Sequence, residues 1–459
     1  MRLKFVMSCR RQRKVWSQAM NMRTLSAICV SAALLLSGCG SGETAGGLNV
    51  LLVIIDTVRA DHLGCYGYGR STSTVIDSLA AEGTMWRNVQ GQSSWTLPAM
   101  ASIFTGTTER AHRSGLREGL AMGLSPDLET MPQMLQQRGY NTAAFFNVAV
   151  LAPSYGFVRG FDFYDCRGCT IDQNAEEVTD SFLRWMEEGR SGGSPFFVTL
   201  HLFDPHYPYT PPEPWNSRWT DPDYRGADWT DVASADYLAG FAGGEVDSAA
   251  MHHIIACYDA EIAYTDSQLS RVFSFLRREG LADSTLVILM ADHGEEFGEH
   301  GQVMHGFQLY QETVGVPLVM SGPGIPSGAV EEGPVAQIDV LPTLLARLGM
   351  QVPEQVQGMD LIGGDSIPAD RVIPSSGFTT DLEQAALRRG DLKLFWEPGD
   401  GQPVMYDLAS DPREMVPLEP DSSLIEEAEF YWATPEMGEP APVPGTEMFV
   451  EKLRNLGYI

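Results

Sequence analysis

Three apolar runs in this sequence end in residues able to hold a metal ion. Leu52-Val53-Ile54-Ile55 leads into Asp56, Leu202-Phe203 into Asp204-Pro205-His206, and Met290-Ala291 into Asp292-His293-Gly294-Glu295. One Asp after a strand is ordinarily a turn or cap residue. Three such ends carrying Asp, Asp-x-His and Asp-His point to a site, because carboxylates and imidazoles are the ligands of hard and borderline divalent cations. Asp56, Asp292 and His293 supply three donors. A fourth candidate is Thr96 in Ser93-Ser94-Trp95-Thr96-Leu97-Pro98-Ala99-Met100, where a helix should begin and Pro98 falls in its first turn. Thr96 reads either as an ordinary N-cap or as a hydroxyl that a metal turns into an alkoxide, with helix N–H groups facing a tetrahedral anion.

The elements that must position these residues follow from periodicity. Leu48 to Ile55, Thr142 to Phe146, Phe196 to Phe203 and Leu286 to Ala291 are continuous apolar runs, as strands buried on both faces require. Between them, Ser73 to Glu82, Leu128 to Arg138, Glu176 to Glu188 and Ile255 to Arg278 have helical spacing. The alternation predicts an α/β, doubly wound, mainly parallel sheet, whose ligands bind beyond the carboxyl ends of the strands. Residues 207–250, rich in Pro, Trp, Asp and Gly, read as a long insertion. After about residue 365, Arg371 to Thr379, Ala385 to Trp396 and Pro403 to Leu408 predict short antiparallel strands with a closing helix over Glu447 to Leu456. The expected organisation is a leader over 1–39, a tether over 40–47, a catalytic domain over 48–365 and a small α+β subdomain over 366–459.

The charge narrows the partners. The chain carries a net charge of -29, and seven of its 31 Lys and Arg precede residue 39, leaving 24 basic residues against 60 acidic ones, or -36. Such a surface repels nucleic acid and anionic membrane, so any positive charge for an anionic ester must be gathered locally. The basic opening, the apolar run Leu25 to Leu36 and the tetrapeptide Leu36-Ser37-Gly38-Cys39 resemble a bacterial lipoprotein signal. That resemblance implies export and lipidation of Cys39, with the membrane reached through the N-terminal anchor alone, at the periplasmic or outer face of a bacterial membrane. Cys166 and Cys169 form a C-x-x-C in a polar loop with neither a second Cys pair nor a nearby His, which predicts a local disulfide. Cys65 and Cys257 read as small buried residues, and His201, alternating on a buried strand, as a satisfied core histidine.

Taken together, Asp56-Thr57-Val58-Arg59-Ala60-Asp61-His62-Leu63-Gly64, the Thr96 to Gly106 segment, Asp292-His293-Gly294-Glu295 and Val316-Pro317-Leu318 resemble the sulfatase family in order and spacing. The tail segments Met405-Tyr406-Asp407-Leu408-Ala409-Ser410-Asp411-Pro412-Arg413-Glu414 and Leu456-Gly457-Tyr458-Ile459 resemble it too. The resemblance covers nearly the whole chain after the leader. It implies the alkaline phosphatase-like fold and a metal-bound nucleophile attacking a sulfate or phosphate ester in line.

The departures are chemical. Where the family carries Cys or Ser in a C/S-x-P-S-R signature, oxidised to formylglycine, this chain has Thr96-Leu97-Pro98-Ala99-Met100. A secondary alcohol cannot give the aldehyde. The family's Gly-Lys-Trp-His motif is replaced by Phe146-Asn147-Val148, its Asp-Asp pair by Asp56-Thr57, and a frequent Asn by His293. Losing a carboxylate and gaining an imidazole moves the expected metal from calcium toward zinc or manganese. An unmodified Thr nucleophile, an Asp-His-Gly-Glu motif and a following His-Gly, here His305-Gly306, resemble phosphoethanolamine transferases and lipoteichoic acid synthases. His206 resembles the substrate-facing His of both groups. The resulting expectation is a metal-dependent hydrolase of small anionic, glycan- or lipid-linked esters, with phosphoryl chemistry preferred and sulfate hydrolysis or group transfer as alternatives. A catalytically inert binding lipoprotein is the reading from another class. His206 and His305 bind the ester oxygens or protonate the leaving group, or with Asp204 hold a second metal. His300 reads as a surface or supporting residue.

Overall fold

Val50 to Ile54 are wholly buried, which a run of β-branched and Leu residues achieves only when both faces of its strand are covered. In the computed structural model this run is β1 (Asn49–Ile55), the centre of the molecule. The structure describes residues 47–446, apart from 118–119, 167–168, 170–173, 190–192, 365–366, 380–381, 397–401, 434–435 and 445. The leader, Cys39, most of the tether and the expected closing helix lie outside the described residues. No helix of the described residues is long and apolar enough to cross a membrane.

The main sheet has eight strands: β1, β2 (Thr84–Gln90), β3 (Asn141–Phe145), β4 (Phe163–Asp165), β5 (Phe196–Leu202), β6 (Thr285–Ala291), β7 (Gly315–Ser321) and β8 (Ala329–Ala336). Their order is β8-β2-β7-β6-β1-β5-β3-β4. All pair in parallel except β7, which runs antiparallel to both β6 and β2. The four strands expected from the apolar runs are all present, within a residue or two of their expected ends.

The crossover helices are α1 (Thr74–Glu82), α2 (Thr96–Thr105), α3 (Met131–Gln137), α4 (Ala175–Arg184), α5 (Ser248–Arg278) and α6 (Val340–Arg347). Four of them start where side chains satisfy the first N–H groups. Thr130 and Gln133 form a reciprocal capping box on α3, as Asn174 and Glu177 do on α4, and Asp247 caps α5 through the Ala250 N–H. The Asp266 carboxylate, from mid-α5, accepts from the Val75 and Ile76 N–H groups at the start of α1. Before α5 begins, the insertion contains no strand, a 3-10 turn at Trp215–Ser217 and one α-helix, Ser234–Ala242. Its Tyr207 and Tyr237 rings stack at 5.2 Å.

A second, antiparallel sheet comprises β9 (Val372–Thr379), β10 (Leu382–Arg389), β11 (Leu392–Trp396) and β12 (Val404–Asp407). The run expected as one strand, Ala385 to Trp396, is two strands of a hairpin. The turn falls at Gly390, whose φ of +60° is the left-handed region. Helix α7 (Ser422–Trp432), not foreseen from the sequence, packs Leu424 and Ala428 onto this sheet. From Leu48 onward the chain forms one compact unit. Cys166 and Cys169 are disulfide-bonded, as the motif predicted.

Candidate active site and metal centre

The three middle strands, β6, β1 and β5, are neighbours, so their carboxyl ends deliver side chains to one place. Asp56 follows β1 directly, and its N–H continues the ladder to the Leu202 carbonyl at 2.9 Å. The next residue, Thr57, is β-branched yet has a φ of +56°, a strained conformation that turns the chain away from the sheet. Its carbonyl accepts from the Tyr258 hydroxyl at 2.8 Å, and the Arg59 N–H donates to the same hydroxyl at 3.0 Å. After β6, the Gln337 amide donates to the Ala291 and Asp292 carbonyls at 2.8 and 2.7 Å. Gly294 must be glycine, because a Cβ there would lie 2.0 Å from the Glu312 carbonyl oxygen.

Asp56, Asp292 and His293 are fully buried and offer ligand atoms that all lie within 4.8 Å of one another. The His293 Nδ1 contacts the Gly294 carbonyl at 3.0 Å, so the proton belongs on Nδ1 and Nε2 is left as a lone pair. Nε2 lies 3.5 Å from Asp56 Oδ1 and 3.6 Å from Asp292 Oδ2. Burial pushes the His293 imidazole down to about 4, keeping it neutral despite the Asp292 carboxylate. Burial, followed by the charges of Asp292 and Glu295, raises Asp56 well above the usual carboxylate range. At Asp292 burial acts upward, but the imidazoles of His293 and His201 outweigh it and bring the carboxyl down to about 2.

Thr96 is the first residue of α2, and the N-cap is Trp95, with no side-chain capping bond. Thr96 is therefore not the ordinary cap. Its Oγ1 lies 3.2 Å from His293 Nε2 and 3.4 Å from Asp56 Oδ2. Pro98, in the first turn, removes an N–H that has no partner within the helix.

On the open side of this group stand His206 and His305. The His305 Nδ1 is 2.9 Å from Glu295 Oε1, and its ring centre lies 4.5 Å from that of His293 and 4.8 Å from that of His206. His206 stacks on Phe203 at 4.2 Å and gives its Nδ1–H to the Tyr207 carbonyl. Burial, then the neighbouring His305, pushes the His206 imidazole well below its ordinary range. Each ring thus has Nδ1 engaged and Nε2 directed elsewhere.

Two placements differ from the sequence reading. His201 is not a satisfied core histidine: it is fully buried, neither ring nitrogen has a hydrogen-bond partner, and its Nε2 lies 3.7 Å from Asp56 Oδ2 and 3.6 Å from Asp292 Oδ2. Asp204 does not join His206 and His305. Its carboxyl faces the Ala175 N–H at the start of α4 and lies near Glu177 and Glu261, where burial first of all raises it to about 7. The orienting carboxylate is instead Glu295, whose role the Asp-His-Gly-Glu motif contained but which periodicity could not assign. His300, expected as a supporting residue, stacks on Tyr310 at 3.5 Å and pairs with Glu312 at 3.2 Å.

The donor set fits a divalent cation. Asp56 Oδ1 and Asp292 Oδ2 are buried without a hydrogen-bond partner, and buried polar atoms in that state ordinarily mark a bound ion or water. Two adjacent carboxylates, one of them raised, hold negative charge that a cation neutralises.

A mainly parallel α/β sheet with Asp, Asp-His and a helix-borne hydroxyl at its carboxyl edge defines an ester hydrolase of the alkaline phosphatase superfamily. Within that class, residues 48–350 match the sulfatase family model, and the chain belongs to the sulfatase family, whose members are metal-dependent. It is similar to the uncharacterized sulfatase YidJ of Escherichia coli strain K12, 25% identical over 418 residues, covering 80% of this chain and 82% of that one. It is also similar to an N-acetylglucosamine-6-O-sulfatase of Bacteroides thetaiotaomicron, 24% identical over 488 residues, covering 84% and 85% of the two chains. Among solved structures, the phosphonate monoester hydrolase of Agrobacterium radiobacter superposes with a TM-score of 0.67 at 22% identity, covering 84% of this chain and 94% of that one.

Proposed function

We propose that this chain hydrolyses anionic esters through a covalent intermediate on Thr96, with phosphate or phosphonate esters preferred over sulfate esters. The observation that carries the reading is the Thr96 hydroxyl, first in its helix, without a capping role and within 3.2–3.4 Å of His293 and Asp56. Asp56, Asp292, His293 and Thr96 would hold a divalent cation, zinc or manganese on the chemistry of two carboxylates and an imidazole. When bound, such an ion lowers the pKa of the hydroxyl and neutralises charge on the ester.

The chain's own residues do the rest. Thr96 Oγ1, its proton passing to solvent water, attacks phosphorus, forming the Oγ1–P bond as the bond from phosphorus to the alcohol oxygen breaks. His305, oriented by Glu295, delivers a proton to the departing oxygen. The neutral His206 and the N–H groups of the first turn of α2 bind the remaining oxygens. Water then attacks phosphorus as the Oγ1–P bond breaks, giving a proton to the His305 that lost one in the first step, while Thr96 Oγ1 regains its proton from solvent and phosphate or phosphonate leaves; an acceptor alcohol in place of water would make the same step a transfer. Sulfate esters are the second reading, favoured by the family match and by the names of the sequence relatives. On this proposal the enzyme works outside the cytoplasm, held by lipid on Cys39; radiolabelled palmitate incorporated into the wild type but not into Cys39→Ala checks it.

The test is metal content measured together with turnover of an aryl phosphate, a bis-aryl phosphate, an aryl phosphonate and an aryl sulfate. Bound zinc or manganese, with phosphoryl turnover that falls at least about 10³-fold in Thr96→Ala, is expected. Dominant sulfate turnover would establish the second reading. A metal-loaded protein inert on all four substrates would return the chain to a binding role.

A further inference from the structure

We propose that His201 is a ligand of the same metal centre, donating through Nε2. The inference rests on the metal-dependent reading above and deepens it. Register places His201 where it can act. In the ladders, Ile54 of β1 is paired with His201 of β5 on one side and Met290 of β6 on the other. Side chains two residues apart on a strand share a face, so His201 lies on the face of Asp56 and Asp292, one step beneath them.

The distances repeat those of the recognised ligand. His201 Nε2 is 3.7 and 3.6 Å from oxygens of Asp56 and Asp292, and His293 Nε2 is 3.5 and 3.6 Å from the same two carboxylates. These separations are longer than good hydrogen bonds. They fall in the range that separates neighbouring donors of one ion, which stand about 3.0–3.4 Å apart when each is about 2.1 Å from it, with a few tenths of an ångström left for closure. The environment leaves the ring no other partner. His201 is wholly buried, the edge of the Phe146 ring flanks it at 6.2 Å between centres, and both nitrogens lack hydrogen bonds. A buried imidazole left in that state bears the cost of desolvation uncompensated, and an ion shared with the two carboxylates removes the deficit at Nε2. The donor set becomes two carboxylates, two imidazoles and a hydroxyl, which favours zinc over calcium.

X-ray absorption of the zinc-loaded enzyme counts coordinated imidazoles, and competition with a chelator gives the zinc Kd. Two imidazoles are expected in the wild type and one in His201→Asn, with Kd weakened more than about 100-fold, beyond the 10- to 100-fold that loss of an orienting neighbour costs. His293→Asn, expected to retain one imidazole from His201, serves if His201→Asn fails to fold. An imidazole count unchanged by His201→Asn, or a Kd weakened by no more than about 100-fold, overturns the proposal and leaves the hydrolase reading intact. A wild type that takes up no divalent metal overturns both.

Discussion

Two buried clusters of Asp and His lie among the described residues, and they differ in one respect. Asp259, on α5, is wholly buried and fully partnered. His62 Nδ1 meets its Oδ1 at 2.6 Å, while the Tyr68 hydroxyl and the Arg70 guanidinium both donate to its Oδ2 at 2.6 Å. Asp56 and Asp292 are equally buried, yet their imidazole neighbours stand off at 3.5–3.7 Å and oxygen atoms remain unpartnered. The same residue types therefore make a finished structural node in one place and a cation receptor in the other. Satisfaction of hydrogen bonds, rather than composition, separates them.

The comparison can be broken at either cluster. At the receptor, Asp56→Asn is expected to abolish metal uptake and lower turnover at least about 10³-fold. In the same variant, the metal-free protein at neutral pH should melt higher than metal-free wild type. The sign follows from the raised carboxyl: the folded state holds its proton more tightly than the unfolded chain, so ionising Asp56 costs stability above the unfolded pKa, and Asn removes that cost. A lower melting temperature would show that Asp56 serves the fold as Asp259 does.

At the node, Asp259→Asn should destabilise by about 1–3 kcal/mol, by weakening the acceptor that the buried His62 imidazole and the Tyr68 hydroxyl share, with metal stoichiometry unchanged. Denaturant unfolding together with metal analysis reads both. A third buried acid sharpens the contrast. Glu109, near Ser93 and Tyr431, is pushed by burial up to about 8 from 4.5. Stability should consequently decline as pH rises from about 4.5 to about 8, and Glu109→Gln should flatten that stretch of the melting-temperature profile. The smallest effect belongs to Asp204→Asn, where metal content should not change because the carboxyl faces α4 and Glu261 rather than the histidines; a lost equivalent of metal would restore it as a ligand.

The strands that carry the site were legible because double-sided burial writes itself as unbroken apolar runs, and Asp56, Asp292 and His293 were legible because they stand just past those runs. Thr96 was ambiguous until the helix start fell on Trp95. His201 was missed for a specific reason. On a strand buried on both faces, alternation does not tell a core position from a site position, and only the register against Ile54 and Met290 reveals which face it shares. Asp204 was misplaced by the converse error: a residue beyond a strand end turns with its loop, and here the loop turns toward α4. The hairpin at Gly390 and helix α7 escaped because short amphipathic segments carry little periodic signal.

The adjacency of β6, β1 and β5 bears on when the centre comes into being. Thr96 and His293 are separated by 197 residues of chain, and parallel neighbours close only after long crossovers have been paid for in loop entropy. No fragment short of the assembled sheet brings Asp56 and Asp292 together. Folding of this topology is slow and its closing contacts come late, so the ion is captured by a nearly finished protein and cannot nucleate it. Which metal is loaded then depends on the ions present at the place where folding ends.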